Sequence, residues 1–222
     1  MSADDQTQEP ALPPSDRARL RRKPMRGFYD RAVIDEILDA SIIGHVAWVY
    51  EGMPYATPTC VWRQGDRLYW HASAGSRMVR TIGGQNASVT VTHLDALVLA
   101  RSATNHSVNY RSVIVQGTAN VVDDAEHSAK SLERFIEHLY PGRWAELRPM
   151  TEKERKATSV MWMSLDEASA KIRATGAMDD AGDETWPAWA GTFAIREILG
   201  KPEPDAFVPA GMAAAKVRLP KA

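Results

Sequence analysis

Apolar residues recur along this chain with two different periods. Between residues 42 and 122, short runs rich in β-branched and aromatic residues occupy 42–50, 55–62, 67–72, 88–94, 96–103 and 107–122. Turn signals at Glu51-Gly52, Gln64-Gly65-Asp66 and Gly83-Gly84 separate them. Val89, Val91 and Leu94 set against Thr90, Thr92 and His93 give the alternation of a strand with one buried face. Later strands are expected at 160–165 and 169–173. The spacing is that of a mainly antiparallel β structure closed into a barrel.

Helical spacing appears at the edges of this pattern. Asp30 can cap a first helix whose apolar face is Val33, Ile34, Ile37 and Leu38. A short helix is expected over 76–82. A longer one over 124–140 carries Ala125, Ala129, Leu132, Ile136 and Leu139 along one stripe and ends at Pro141-Gly142. Thr151 and Glu154 have the spacing of a capping box for one more.

The pattern gives one folded unit, 27–200, with an appendage at each end. Residues 1–26 read as a disordered or extended segment, polar at first and then basic at Arg17, Arg19, Arg21, Arg22, Lys23 and Arg26. It is either a solvated tail or an arm that packs on a dimer partner. Residues 201–222 are interrupted by proline and read as an extended tail. With 222 residues and 44% hydrophobic content, the chain can bury a real core. A net charge of −1 gives no reason to expect nucleic acid or an acidic membrane surface as a partner. Cys60 is the single cysteine, which rules out an intrachain disulfide and a zinc-binding cysteine cluster. No apolar run is long enough to span a membrane, and residues 1–14 lack the basic and apolar regions of a signal peptide, so a cytoplasmic location is expected.

Candidate chemistry concentrates in Tyr69-Trp70-His71-Ala72-Ser73-Ala74-Gly75-Ser76-Arg77-Met78, where a strand gives way through small residues to a helix. Free N–H groups at such a junction suit a phosphate, with Arg77 as a bidentate donor, Ser73 and Ser76 as hydroxyls, His71 as a further donor and Arg80 in reserve. The competing reading is an ordinary capped helix with exposed arginines.

Five phrases, in this order, resemble the pyridoxamine 5′-phosphate oxidase-like FMN-binding split barrels, especially their nitroimidazole-resistance (Nim-type) branch. They are Ile42-Ile43-Gly44-His45-Val46-Ala47, then Pro54-Tyr55-Ala56-Thr57-Pro58-Thr59-Cys60-Val61-Trp62, then the 69–78 phrase, then Asn109-Tyr110-Arg111-Ser112-Val113-Ile114-Val115-Gln116-Gly117-Thr118-Ala119, and last Trp186-Pro187-Ala188-Trp189-Ala190-Gly191. The resemblance implies a six-stranded antiparallel, Greek-key-like split barrel with peripheral helices. It also implies a homodimer with FMN at the subunit interface. His71, Ser73, Ser76 and Arg77 would hold the phosphate. Thr59, Cys60 and Val61 would line the isoalloxazine, largely through their backbone. Arg111 and Ser112 would reach the flavin near the interface, and Trp189 would cover it. Many relatives place a lysine where this chain has Met78.

Other constellations add little. The six histidines show no metal-binding spacing, so no metal site is expected. His93 reads as a hydrogen-bonded strand histidine, His106 as a loop residue that could border a site, and Cys60 as a buried inert thiol. No dinucleotide or P-loop fingerprint occurs, so a nicotinamide donor would dock only transiently. The expected function is therefore an FMN-dependent oxidoreductase acting on a small molecule, which the Nim-type resemblance implies is a nitroaromatic, with no catalytic side chain assignable. The alternative is a non-catalytic flavin- or haem-binding protein for storage, sensing or electron relay, with His71 or His106 as axial ligand.

Overall fold

The structure is a computed structural model that describes residues 11–219; the outermost parts of both expected tails lie outside the described residues. In chain order the elements are β1 (Gly27–Phe28), α1 (Arg31–Asp39), β2 (Ile43–Tyr50), β3 (Met53–Gln64), β4 (Arg67–Ser73), α2 (Arg77–Ile82), β5 (Asn86–Leu99), β6 (Ser107–Thr118), β7 (Asn120–Val121), α3 (Ala125–Leu139), α4 (Glu152–Ala157), β8 (Thr158–Ser164), β9 (Ala168–Arg173) and β10 (Gly191–Ala194). The strand order is β1-β9-β6-β5-β2-β3-β4-β8-β7, with β10 paired to β5. All pairings are antiparallel. The count exceeds the six strands expected, partly because the short β1, β7 and β10 attach to the main frame.

Local chemistry accounts for the elements. Glu51 and Gly52 both take positive φ, 50° and 74°, the turn that matches the twist of a two-residue hairpin between β2 and β3. Asp30 accepts from the Ala32 N–H and Asp124 from the His127 N–H, capping α1 and α3. Thr151 and Glu154 form the expected capping box of α4.

The barrel is split in the middle of β3. Its first part pairs with β2 as far as Cys60, and from Val61 it pairs with β4 instead. Gly44 permits this crossing, since a Cβ there would lie 2.7 Å from Val61 Cγ1. The opposite seam is a corner: β8 pairs with β4, β9 with β6, and three residues join them without a ladder. Inside lies one core that includes Val46, Trp48, Val61, Leu68, Trp70, Val89, Val113, Met161 and Met163. Ile34, Ile37 and Leu38 of α1 and Met78 and Ile82 of α2 belong to the same core. A smaller cluster, Trp62, Tyr69 and Val160 with Leu132, Phe135 and Trp162, lies on the outer face under α3.

Residues 11–26 pack on their own protomer. Ala18 is buried, the Leu20 N–H donates to the Tyr29 hydroxyl at 2.7 Å, and Arg17 meets Glu167 at 3.4 Å. The described part of the basic segment thus packs on the chain's own sheet. Beyond Ala194, residues 195–219 contain no strand or helix.

Candidate functional site

Strand parity sorts the candidate residues onto two faces. In β3, Tyr55, Thr57, Thr59 and Val61 alternate with Ala56, Pro58, Cys60 and Trp62. Val61 belongs to the barrel core and Trp62 to the cluster under α3, so the first set faces inward and the second outward. In β4, Leu68 and Trp70 face inward, while Tyr69 and His71 face outward.

His71 therefore sits among aromatic rings on the outer face, with ring centroids 5.9 Å from Trp62 and 5.4 Å from Phe135. Its Nδ1 is buried and has no hydrogen-bond partner among the described residues. Burial pushes its pKa below the ordinary histidine value, which leaves a neutral imidazole. Continuing the register of Val61 opposite Trp70 places Cys60 beside His71 on the same face. Burial pushes the Cys60 thiol up, consistent with the inert thiol expected from sequence.

Arg77 lies elsewhere. Its guanidinium sits over the inward-facing Tyr55 at 4.9 Å and near Tyr50 at 5.9 Å, at the hairpin end of the barrel. Tyr55 stacks in turn on Trp48, whose indole N–H donates to the Thr81 hydroxyl of α2. His71 thus packs with Trp62 and Phe135 while Arg77 packs over Tyr55, so the described contacts do not bring these two expected phosphate ligands together. Ser76 caps α2 by accepting from the Val79 N–H at 3.2 Å, and Ser73 is exposed. The departure at Met78 also has a physical reason. Its side chain is 5% exposed in the barrel core, where a lysine would need an expensive desolvation.

The remaining candidates do not converge either. Thr59 donates its hydroxyl to the His71 carbonyl at 3.2 Å, and the Val61 N–H is taken by the Ile42 carbonyl at 3.0 Å. Arg111 shares the inward parity of Val113 and is held by Asp95 through bonds of 2.7 and 3.1 Å. That contact raises its pKa. Asp95 occupies the irregularity between Leu94 and Ala96 in β5, and its carbonyl also accepts the Ile195 N–H. Ser112 points to the other face and donates to the Lys171 carbonyl. Trp189 is 62% exposed, folds over Gly191 and lies 5.1 Å from Phe193. His93 is the satisfied structural residue expected, placed between the Ser41 hydroxyl and the Ile37 carbonyl. His106 is exposed and bonded to the Ser102 carbonyl.

What the structure adds is an open shelf on the outer face, beyond the edge of α3. Facing pairs Cys60 and Ile43, Pro58 and His45, Ala56 and Ala47, and Pro54 and Val49 line it on β3 and β2, with Ser88 and Gln116 continuing it on β5 and β6. A hollow of about 440 Å³ on it is bordered by Ala47, Pro54, Tyr55, Ser88, Gln116 and Arg17. Small side chains leave room for a flat ring, and Arg77 lies over the same Tyr55 that borders the hollow. Alternation in β2 and β3 carried this signal in the sequence. The hollow itself depends on neighbours that are distant along the chain. Among the described residues, no group of three or more His, Cys, Asp or Glu side chains is placed to hold a metal ion, and no helix is long and apolar enough to cross a membrane.

A frame split within β3, turned at an unpaired corner and plugged at its ends by α1 and α2 is a split β-barrel. The pyridoxamine 5′-phosphate oxidase family model matches residues 30–172, and the chain belongs to that family. Flavocytochrome Anf3 from Azotobacter vinelandii is 40% identical, with 90% of this chain and 94% of that one covered and a TM-score of 0.87. An FAD- and haem-binding protein from Mycobacterium smegmatis is 33% identical, with 85% and 93% covered and a TM-score of 0.81. A protein described as a 5-nitroimidazole antibiotic resistance protein from Bacteroides thetaiotaomicron is 17% identical, with 66% and 86% covered and a TM-score of 0.56, which is a likeness of fold alone. A comparison with curated proteins finds no match.

Proposed function

We propose that this protein is a redox protein that works as a homodimer and carries both a flavin and a haem. The observation that carries the reading is His71, a neutral imidazole on an apolar face with a buried ring nitrogen that no described residue uses. A neutral imidazole in apolar surroundings suits a haem iron. His106 is the weaker candidate, because it is exposed and already bonded to a carbonyl. Two of the similar structures, the flavocytochrome at 40% identity and the FAD- and haem-binding protein at 33%, support the same pair of groups. When bound, the flavin supplies two-electron chemistry and the haem single-electron exchange.

The chain's own residues then have separate tasks. The shelf of Ala47, Ala56, Pro54 and Ser88 would seat the flavin ring and exclude water from one side of it. Arg77 forms no ion pair among the described residues and would meet flavin phosphate at the rim, helped by Ser73 and Ser76. His71 would hold the iron beside Trp62 and Phe135. A second protomer would close the shelf from above. The flavin assigned is FAD rather than the FMN implied by the family resemblance, since the 33% identical protein from Mycobacterium smegmatis is an FAD-binding protein.

The visible spectrum of the purified protein tests this. Flavin bands together with a Soret band are expected, and the flavin released on denaturation should run as FAD; FMN in its place would return the cofactor to the family's pattern. His71→Ala should remove the Soret band and keep the flavin. A Soret band that survives the substitution places the iron on another residue. A protein that stays colourless after addition of flavin and haemin defeats the whole reading.

A further inference from the structure

We propose that residues 195–219 form an arm that docks on the shelf of a second copy of this chain, so that each protomer's shelf is closed by its partner's arm. The inference rests on the homodimer of the reading above and adds which segment makes the closure.

The arm is held to its own protomer near both ends. The Ile195 N–H donates to the Asp95 carbonyl at 2.9 Å, and the Arg218 N–H donates to the Leu139 carbonyl at 2.8 Å. Between these points it turns its largest apolar side chains to solvent, with Phe207 93% and Ile198 85% exposed and Leu199 and Met212 also outside. A polar, solvated tail would not carry this set of residues in this arrangement. Pro202, Pro204 and Pro209 restrict φ and remove backbone donors, and the Val208 and Met212 N–H groups close turns onto the Asp205 and Pro209 carbonyls, so the segment is stiffened and loses less entropy on docking.

The matching surface is on the same chain. With its own arm in place, the shelf still leaves Val49 54% and Ile43 48% exposed, one toward each end of β2. A chain that bears both an apolar arm and an uncovered apolar shelf satisfies both by two-fold pairing. Charge points the same way. The arm carries Glu203 and Asp205, and the shelf is bordered by Arg17 of the basic segment. Within one protomer that segment pairs with Glu167 and Asp16, and Glu203 and Asp205 form no ion pair among the described residues. Opposite charges on arm and rim would set the register of docking.

The test uses the full chain, with Ile198→Ser and Phe207→Ser together. Both positions lie outside the core, so folding should be preserved. Sedimentation should show a dimer dissociation constant raised by about a hundredfold, because each dimer loses two copies of both contacts. A photo-crosslinking side chain at position 207, in a mixture of isotope-labelled and unlabelled protein, should give mixed-label products joined to shelf residues such as Val49 or Ile43. Products confined to a single label pool, or attached to the same protomer, would show the arm folding back on its own chain and overturn the proposal. An unchanged dissociation constant in the double variant would overturn it too, while leaving the dimer intact. A full-length protein that is monomeric at every concentration would remove the dimer itself.

Discussion

The outer face of the sheet is finished in two different ways on either side of β3. Over β4 and β8, α3 covers it with Leu132 and Phe135, and the strands answer with Trp62, Tyr69, His71 and Val160. Over β2 and the first part of β3, no described helix covers it, and the residues there are Ala47, Ala56, Pro54, Pro58 and Ile43. Both regions belong to the same face, and β3 runs through both. One has large rings and a covering helix, so it is a second core. The other has small apolar residues and no cover, so it is a surface prepared for something else. Trp62 and Ala56, six residues apart on one strand, show how side-chain size alone separates a structural surface from a receptive one.

Truncating the covered half should have the largest effect on stability. Trp62 is 2% exposed and lies 5.0 Å from Phe135. Trp62→Ala should lower the unfolding free energy by about 3–5 kcal/mol in a denaturant titration. Trp62→Phe sharpens the point, because the indole N–H is buried without a partner and no hydrogen bond would be lost. Its cost should be below about 1.5 kcal/mol. A Phe variant as damaged as the Ala variant would show that the indole has a partner of its own.

A smaller effect should follow from pH. His71 has a folded-state pKa lowered by burial, so the unfolded chain binds a proton more readily than the folded one. The stability this gives is fully present above the unfolded value of about 6.5 and is lost as pH falls through the lowered folded pKa. His71→Asn should flatten that part of the stability curve measured without haem. If the wild type and the variant lose stability in parallel over this range, His71 is not the neutral buried group described here.

Much of this division is present in the sequence, though not in a form that could be read unaided. Alternation in β3 and β4 already separates Trp62 and His71 from Tyr55 and Val61. The phrases quoted from the chain led to the right family and to the strands that matter. They also set His71 and Arg77 together, since the two are close in sequence and both can contact phosphate, whereas the described contacts give them different neighbours. The direction of each side chain depends on where α2 settles, and α2 turns Arg77 back over Tyr55 while burying Met78. The partner of Arg111 is equally hidden, because Asp95 lies at an irregularity in β5 that no periodicity announces. The covering helix is the largest omission. The stripe from Ala125 to Leu139 predicts a helix packed on the barrel, yet gives no sign that it stops short of β2 and leaves the shelf open.

Arg77 tests the rim of the shelf. Its position over Tyr55 should contribute only about 0.5–1 kcal/mol to folding, as an exposed cation above a ring does. Arg77→Ala should therefore leave the melting curve nearly in place. If the guanidinium meets flavin phosphate, the same change should weaken flavin binding by about 1.5–3 kcal/mol, read by fluorescence titration of the flavin-free protein. Equal flavin affinity in the two proteins would limit Arg77 to its contact with Tyr55.

The smallest effect on stability should come from the shelf, and it separates the two halves most cleanly. Ala56 is exposed and faces Ala47 across the β2–β3 ladder. Ala56→Trp adds a large ring where no described helix covers the sheet, so unfolding should change by no more than about 0.5 kcal/mol. Aromatic residues are well tolerated on a strand, which removes backbone propensity as a cause of any loss. The added indole would occupy the space assigned to the flavin ring, so flavin retention should fall sharply while the Soret band at His71 persists. A variant that loses haem and keeps flavin would reverse the assignment of the two surfaces. One that keeps both would show that the shelf seats neither group and that its small residues serve only contact between protomers. Because the fold is expected to be indifferent to this substitution, each of these outcomes concerns the surface and not the stability of the barrel beneath it.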